Sequence, residues 1–458
     1  MVKIELKEKE LFARLKEVSE RLGMPAYVVG GYVRDSLLGI PNDDIDIVVV
    51  GSGPKFAEEF SSGDVQIFKN FGTAKVKYSD LEVEFVGARK ESYQRGSRKP
   101  IVEDGTLEDD LMRRDFTINA LAASVIDGSV IDLHGGLLDL QSGLIRTPTD
   151  PSITFRDDPL RMLRCVRFAV RYGFLIEDKT KEALRTNAQR LSIISAERKY
   201  SELEKIITSP RPAEGFMILQ QSGLLPLMIP ELSDLDVSGE GHKNNFIHSL
   251  KVLENVSVVS GDEWLRWAAL LHDIGKGPTA KRDENGEWTF YGHEYQGYKM
   301  VEDIFRRLKM PFGEPLRKVK NLVLLHMRPS MIELEGITDS AVRRLLSDAG
   351  DDIDDLLVLS SCDITTKYEE KKEKSREHFK RLREMIQDLK ERDYKRLFQP
   401  CIDGFDLMNF LDLSPGPLVG EIKQELKNLI LDGKIENERE TLFNKAKEIY
   451  EEKFSSIN

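Results

Sequence analysis

The rhythm of apolar and polar positions changes part-way along the chain. Up to about residue 145 it is a rhythm of short strands separated by turns. Val28-Val29 predicts a strand. Gly30-Gly31 follows it, a helix is predicted from about Tyr32 to Leu38, and Ile40-Pro41-Asn42 is a turn. Asp44-Ile45-Asp46-Ile47-Val48-Val49-Val50 opens with strand alternation. Segments 73–77 and 81–85 flank a short polar turn and predict a hairpin, and a second hairpin is predicted around Asp127-Gly128-Ser129. Segment 89–110 is polar, basic at its start and without apolar periodicity, so it reads as a mobile loop. From about 153 the texture is helical. Residues 154–171 set Leu160, Leu163, Phe168 and Val170 between arginines, which is helix spacing with a basic face. Breaks are expected at Ser209-Pro210-Arg211-Pro212, within 233–245 and at Gln399-Pro400. Segment 367–392 carries dense charge of both signs and predicts a long solvated helix laced by i,i+4 pairs.

Length and composition narrow the class. The chain has 458 residues, enough for about three domains. Its 67 basic and 79 acidic residues leave a net charge of −12, with 40% apolar residues, which is globular composition. Three widely spaced cysteines, Cys165, Cys362 and Cys401, exclude a disulfide framework and a CxxC zinc site. No apolar run reaches the ~18 residues of a membrane helix. The first residues read as an amphipathic charged helix rather than a signal peptide, and the expectation is a reducing cytosol and a cytoplasmic protein without membrane contact. The acidic balance argues against a general nucleic-acid coat but permits a local basic groove.

Two aspartates supply the first candidate chemistry. Asp44 and Asp46 are two apart at a strand start, so both carboxylates can face one spot, and Glu84 can add a third from a neighbouring strand. Three carboxylates on one sheet face suit Mg²⁺. A pair of such ions activates an attacking hydroxyl and stabilises a leaving pyrophosphate. Gly30-Gly31 before a helix lets backbone N–H groups approach a phosphate. Alone, two such aspartates are more often turn residues. The assembly GGYVRDSLLGIPNDDIDIVV is far more specific.

Gly30-Gly31-Tyr32-Val33-Arg34-Asp35-Ser36-Leu37-Leu38-Gly39, followed by Asp44-Ile45-Asp46, resembles the class II tRNA nucleotidyltransferases. These belong to the polymerase-β-like superfamily, which includes bacterial poly(A) polymerases. Arg113-Arg114-Asp115-Phe116-Thr117-Ile118-Asn119-Ala120 resembles the family's second motif, which implies that Arg114, Asp115 and Asn119 line the triphosphate and sugar pocket. Glu84 with Arg89 is similar to the strand carrying the third carboxylate. Asp157-Asp158-Pro159-Leu160-Arg161-Met162-Leu163-Arg164 resembles the base-reading motif, with Asp157 one methylene shorter than the family's usual Glu. Ser195-Ala196-Glu197-Arg198 and Glu202 resemble a later motif that braces the neck helices. The resemblance implies an α+β protein: a nucleotidyltransferase head over 1–150 with a small mixed sheet, a helical neck over 151–232, an HD domain over 233–370 and a helical C-terminal body over 371–458.

Asp158 and Arg161 are i,i+3 on the predicted helix and so share a face. A carboxylate accepts from an exocyclic amine, and a guanidinium donates to a ring nitrogen or carbonyl oxygen. Cytosine and adenine each present an amine beside an acceptor; uracil and guanine do not present that pattern. The pair can therefore select CTP and ATP without a nucleic-acid template, as the family is understood to do. Family members that add the terminal A have a flexible loop between the first two motifs, and 89–110 is similar.

Five of the seven histidines fall between His242 and His326. His248, His272-Asp273 and Asp363 resemble the His…His-Asp…Asp order of the HD phosphohydrolases, with His293 and His326 as candidates for a second metal. Imidazole with carboxylate suits Mn²⁺, Fe, Ni²⁺ or Zn²⁺ better than Mg²⁺. The resemblance implies phosphohydrolase action on 2′,3′-cyclic or 2′-phosphate ends. His134, His242 and His378 are expected to be structural or surface residues, with His378 solvated. Segment 401–420 resembles the family's distal part and is expected to pack along the tRNA acceptor side. The implied function is addition of CCA to the tRNA 3′ end with Mg²⁺. Rivals are a poly(A) polymerase, a CC-adding or A-adding enzyme, and an HD phosphohydrolase whose N-terminal part only binds RNA. Oligomeric state is left open.

Overall fold

The computed structural model describes residues 2–68, 72–93, 100–235, 244–335, 338–366, 368–392 and 400–455. His242, the middle of the 89–110 segment and parts of the expected breaks near 240 and 399 lie outside them. The chain divides into two compact units, Met1–Ser233 with Arg307–Met310, and Asp234–Arg306 with Pro311–Asn458.

The first unit opens with helix α1 (Lys9–Leu22), whose Leu11, Phe12, Leu15 and Val18 form a buried stripe. Then come β1 (Ala26–Val29), α2 (Gly31–Leu38), β2 (Ile45–Val49), α3 (Gly53–Phe60), β3 (Val65–Phe68), β4 (Thr73–Tyr78) and β5 (Leu81–Gly87). β6 (Arg89–Tyr93) and β7 (Pro100–Asp104) precede α4 (Leu107–Met112), β8 (Leu121–Ser124), β9 (Val130–Asp132) and α5 (Gly136–Ser142). Seven of these strands form one mixed sheet in the order β3-β4-β5-β2-β1-β8-β9, with β2 and β5 parallel and Asp46 paired with Glu84. Both expected hairpins are present, as β4–β5 and β8–β9.

Alternation along β2 divides its side chains between two faces. Ile45, Ile47 and Val49 pack into the core under α1 and α3. Val48 turns to the opposite face, against Val29, Ala88, Leu111, Ala120 and Ala122. Asp46, two residues before Val48, shares that second face.

Two expectations in this unit are corrected. The described parts of segment 89–110 are paired antiparallel strands, β6 with β7, followed by α4 with a Thr106–Asp109 capping box. Cross-strand pairing there needs no apolar period, which is why the sequence read as a loop. The single helix over 154–171 is two: α6 (Pro151–Asp157) and α7 (Leu160–Tyr172). Asp158 between them is extended, at φ −133° and ψ 100°, because the following Pro159 disfavours helical backbone before it. A two-residue parallel pairing joins β10 (Leu144–Ile145) to β11 (Leu175–Ile176). α8 (Asp178–Asn187), α9 (Ala196–Ile207), α10 (Pro212–Gln221) and α11 (Pro230–Ser233) complete the unit, with the Ser209–Pro212 break where expected.

The second unit is helical apart from the small hairpin β12 (Lys281–Arg282) and β13 (Trp288–Thr289). Its helices are α12 (Asn245–Val259), α13 (Glu263–Leu271), α14 (Lys276–Thr279), α15 (His293–Leu308), α16 (Glu314–Leu325), α17 (Arg328–Glu335), α18 (Asp339–Ala349), α19 (Ile353–Cys362), α20 (Glu369–Arg392), α21 (Gly404–Leu411), α22 (Pro417–Leu431) and α23 (Arg439–Ser455). The charged helix α20 is not solvated all round. Phe379, Leu382, Ile386 and Leu389 form a buried stripe, and His378 is buried with Nε2 3.0 Å from the Pro329 carbonyl oxygen. The helix period hid this, because the stripe is narrow among many charges. No helix among the described residues is long and apolar enough to cross a membrane.

Candidate active site and a second metal-ligand cluster

A cavity of about 850 Å³ in the first unit gathers most of the residues singled out in the sequence: Gly30, Gly31, Arg34, Asp35, Asp44, Asp46, Arg114, Asp115, Asn119, Asp158, Arg161 and Arg164. Gly30 stands at the N-terminus of α2 with φ +65°, and a Cβ there would lie 3.0 Å from the Arg114 guanidinium. Only glycine gives both that backbone and that approach.

Behind the wall, Asp35 is fully buried and works as a brace. It accepts from the Arg34 guanidinium, from Asn42 Nδ2 at 2.7 Å and from the Tyr172 hydroxyl at 2.9 Å. Arg34 also donates to Asn119 Oδ1 and lies over the rings of Phe168 and Tyr172. Asp35 thus ties α2 to the end of α7. Asp115 plays a similar part. One oxygen accepts from Asn119 Nδ2 and the Phe116 N–H, both at 2.9 Å; the other accepts from Arg164 Nε at 2.7 Å. Burial pushes this carboxyl up, but Arg164, Asn119 and Arg161 outweigh it and hold the pKa at about 2. Arg161 Nη2 donates to the Arg113 carbonyl at 2.7 Å. Asp158 lines the cavity from the break before α7, not from one helical face shared with Arg161.

The metal-ligand candidates here stand apart. Asp44 is exposed just before β2, and Asp46 is half-buried. Burial and the neighbouring Asp44 and Glu84 charges raise Asp46 to about 6 against the pull of Arg114 and Lys75. Asp44 and Asp46 together put carboxylate oxygens on one wall of the cavity, a donor set that fits a hard divalent ion. Glu84 does not line the cavity and pairs with Lys75 at 3.6 Å. Asp157 does not line it either.

Sequence reasoning missed Arg113, Arg167, Phe168, Arg171, Arg198 and Asn42, all of which line the cavity. The basic face of α7 was the signal: 161, 164, 167 and 171 recur every three or four residues. Arg167 Nε also approaches Glu202 Oε2 at 3.2 Å, joining α7 to α9, which agrees with a bracing part for Glu202.

In the second unit, His248, His272, Asp273, His293, His326 and Asp363 converge. Donor atoms of His248, His272 and Asp273 lie within 4.8 Å of one another, as do those of Asp273, His293 and His326. Asp273 faces both sets. Its Oδ2 is 3.3 Å from His272 Nε2 and 3.5 Å from His248 Nε2, while Oδ1 is 3.3 Å from His293 Nε2 and 3.8 Å from His326 Nε2. Asp363 Oδ1 is 2.8 Å from His248 Nε2 and 3.3 Å from His272 Nε2. Three of the imidazoles turn Nδ1 to a carbonyl three residues earlier: His272 to Ala269 at 2.9 Å, His293 to Phe290 at 2.9 Å and His326 to Val323 at 2.7 Å. That leaves every Nε2 directed inward, as second partners do in metal sites. Burial works against a charged His272, yet Asp273 and Asp363 raise it to about 10; burial and the His272 charge lower His326 to about 4. The cluster balances its carboxylates with protons that a metal would displace, so the donor set fits a divalent ion.

The sequence matches four family models in order. Residues 26–146 match the poly A polymerase head domain, and residues 173–235 match a model described as "Probable RNA and SrmB- binding site of polymerase A". Residues 245–364 match the HD domain, and 356–446 the tRNA nucleotidyltransferase domain 2. The chain belongs to the tRNA nucleotidyltransferase and poly(A) polymerase family and carries an HD domain. Solved structures share the fold. The CCA-adding enzyme of Bacillus stearothermophilus in complex with CTP is 23% identical, with a TM-score of 0.68, covering 99% of this chain and 100% of that one. The Thermotoga maritima CCA-adding enzyme complexed with tRNA is 23% identical, with a TM-score of 0.62, covering 98% and 97%. A CCA-adding enzyme in complex with ATP is 23% identical, with a TM-score of 0.64, covering 96% and 93%. Within this family the head model meets the Asp44/Asp46 strand and the Arg113–Asn119 segment, and the HD model spans all six clustered histidines and aspartates.

Proposed function

We propose that the chain adds CCA to the 3′ end of tRNA, using CTP and ATP, in the cytosol. The observation that carries this is one arginine-rich cavity holding Asp44 and Asp46 together with Asp158 and Arg161. The 3′-hydroxyl of the tRNA attacks the α-phosphate, the α–β phosphoanhydride bond breaks, and pyrophosphate leaves. Asp44 and Asp46, helped by Glu84, would hold Mg²⁺, whose charge favours the ionised hydroxyl and the departing pyrophosphate. Gly30 and Gly31 let the phosphates approach the backbone at α2. Arg114 and the Asp115-oriented Arg164 face them, and Arg34 and Asn119 fix that wall. Asp158 and Arg161 read the amine and acceptor of cytosine or adenine. The proposed division of labour is catalytic head, base-reading neck, HD domain and a C-terminal body that positions tRNA over 371–458.

The complexes of related proteins with CTP, ATP and tRNA support this reading. Its test is single-nucleotide incorporation with each of the four triphosphates. Wild type is expected to use CTP and ATP and reject UTP and GTP. Arg161→Ala is expected to lose roughly tenfold in that discrimination, as one missing guanidinium contact does. Equal use of all four by wild type overturns the base-reading assignment.

A second reading concerns the HD cluster and rests on its six convergent donors. His248, His272, Asp273 and Asp363, with His293 and His326, would hold Mn²⁺, Ni²⁺, Fe, Zn²⁺ or Mg²⁺, supplying an activated water for hydrolysis of 2′,3′-cyclic or 2′-phosphate ends. Lys276, 2.6 Å from Asp273, stands ready to meet the phosphate.

A further inference from the structure

The cavity above the HD cluster, about 790 Å³, has a rim that hydrolysis alone does not use. Trp288, Tyr291, Tyr295, Met327 and Met331 line it, and all five are exposed. Single exposed apolar side chains are ordinary, but a group of them around one cavity marks a binding surface. Tyr291 is 88% exposed, the most exposed large hydrophobic side chain among the described residues. Arg282 lies over the Trp288 ring at 4.8 Å and Lys299 over the Tyr295 ring at 4.2 Å. Tyr291 carries no comparable stacked cation or ring among the described residues.

The same turn sets both the Tyr291 ring and a metal-ligand candidate. In Phe290-Tyr291-Gly292-His293, the Phe290 carbonyl accepts from the His293 N–H at 3.1 Å and faces His293 Nδ1 at 2.9 Å. Gly292 takes φ +76°, which a side chain would resist. Upstream, Asp283 Oδ1 accepts from the N–H groups of Asn285 and Glu287, both at 2.9 Å. The backbone that aims His293 at Asp273 therefore also fixes where Tyr291 begins.

We propose that Tyr291 stacks the base of a terminal nucleotide whose phosphate lies at the HD cluster, with Trp288 and Tyr295 walling that subsite. A floor for a phosphate ester beside a planar apolar rim has the chemistry of a nucleotide: charge at one end, a π-face at the other. Lys276 and Arg328 add positive charge to the same wall. Every base has a π-face, so the subsite demands a base without choosing which. It sorts nucleotide esters from baseless phosphates. The phosphate at the cluster rests on the phosphohydrolase reading; the aromatic rim does not.

The test is equilibrium binding of adenosine 2′-monophosphate, uridine 2′-monophosphate and inorganic phosphate to the Mn²⁺-loaded full chain. Wild type, Tyr291→Ala and Tyr291→Phe are compared; the head cavity contributes equally to all three, so differences report on the rim. Tyr291→Ala is expected to weaken both nucleotides by about tenfold, with inorganic phosphate shifted by less than about twofold and Tyr291→Phe restoring nucleotide affinity. Nucleotides bound no tighter than phosphate by wild type, or a Tyr291→Ala affinity within twofold of wild type, overturns the proposal. Hydrolysis of nucleoside 2′,3′-cyclic phosphates is measured in parallel. Its absence in wild type sinks the phosphohydrolase reading alone, while the binding difference still decides the rim.

Discussion

The two cavities use the same carboxylate chemistry and push it in opposite directions. In the head, burial and the neighbouring Asp44 raise Asp46 to about 6. In the HD cluster burial also opposes charge on Asp273, but His272, His293 and Lys276 overcome it and hold the carboxyl well below its ordinary range. The difference is the company each aspartate keeps. In the head Asp46 feels the charges of Asp44 and Glu84, and among the described residues these carboxylates are not gathered within 4.8 Å of one another. HD carboxylates face imidazoles that backbone carbonyls already hold in place. In the proposed reading the head gains its hard cation along with its charged substrate. In the same reading the HD donors are already gathered for a metal before any substrate arrives. The walls differ accordingly: eight arginines line the head cavity, suited to a triphosphate, whereas exposed rings and methionines line the HD cavity.

The largest effect should come from crossing the two sites. Asp46→Ala is expected to lower nucleotide incorporation by roughly a thousandfold or more, since it removes charge stabilisation worth several kcal/mol. Phosphohydrolase activity on 2′,3′-cyclic ends should persist. His272→Ala should do the reverse. Loss of both activities in either variant would break the separation of the two centres.

Next in size is Arg164→Ala. It strands the buried Asp115 carboxylate, whose pKa of about 2 depends on that guanidinium. A buried charge that loses its partner costs about 3–5 kcal/mol, and the part-exposed arginine puts this case nearer 2. Urea unfolding of the variant against wild type measures it. An unchanged midpoint would mean that Asn119 and Arg161 suffice.

The pKa contrast itself is sharpened by Asp46→Asn. A carboxyl raised from 3.8 to about 6 adds stability below the unfolded value and loses it as pH rises through 6. The metal-free Asn variant should thus be more stable than wild type at pH 7: the full shift is worth about 3 kcal/mol, discounted to about 2 because Asp46 is only half-buried. That advantage should shrink between pH 6 and pH 4. An advantage independent of pH would show that the ionisation of Asp46 is not the cause. The smallest effect is Tyr172→Phe, which removes one hydrogen bond to Asp35 and should cost about 1 kcal/mol in thermal unfolding.

Much of this was legible in the sequence because its signals are local. Strand alternation placed Asp46 opposite Ile45 and Ile47, and turn residues marked both hairpins. The parallel pairing that sets Glu84 beside Asp46 was reachable only as a guess, since register across a sheet is not local. The Pro159 break between Asp158 and Arg161 was signalled by the proline yet lost in a strong helical pattern. His378 looked solvated because charge surrounds it in sequence; its burial depends on Pro329, forty-nine residues away. Arg167, Arg171 and Arg198 were visible as basic residues, but which of them face the cavity is decided by helix packing.

A head cavity that reads cytosine and adenine without a template should build a product of fixed length. The most direct measurement is product length on tRNA lacking its last three nucleotides, with CTP, ATP and Mg²⁺ supplied together. The expected result is a stop after three additions, C, C and A. A stop after two, or a long ladder of A, would contradict it and make the chain a CC-adding enzyme or a poly(A) polymerase.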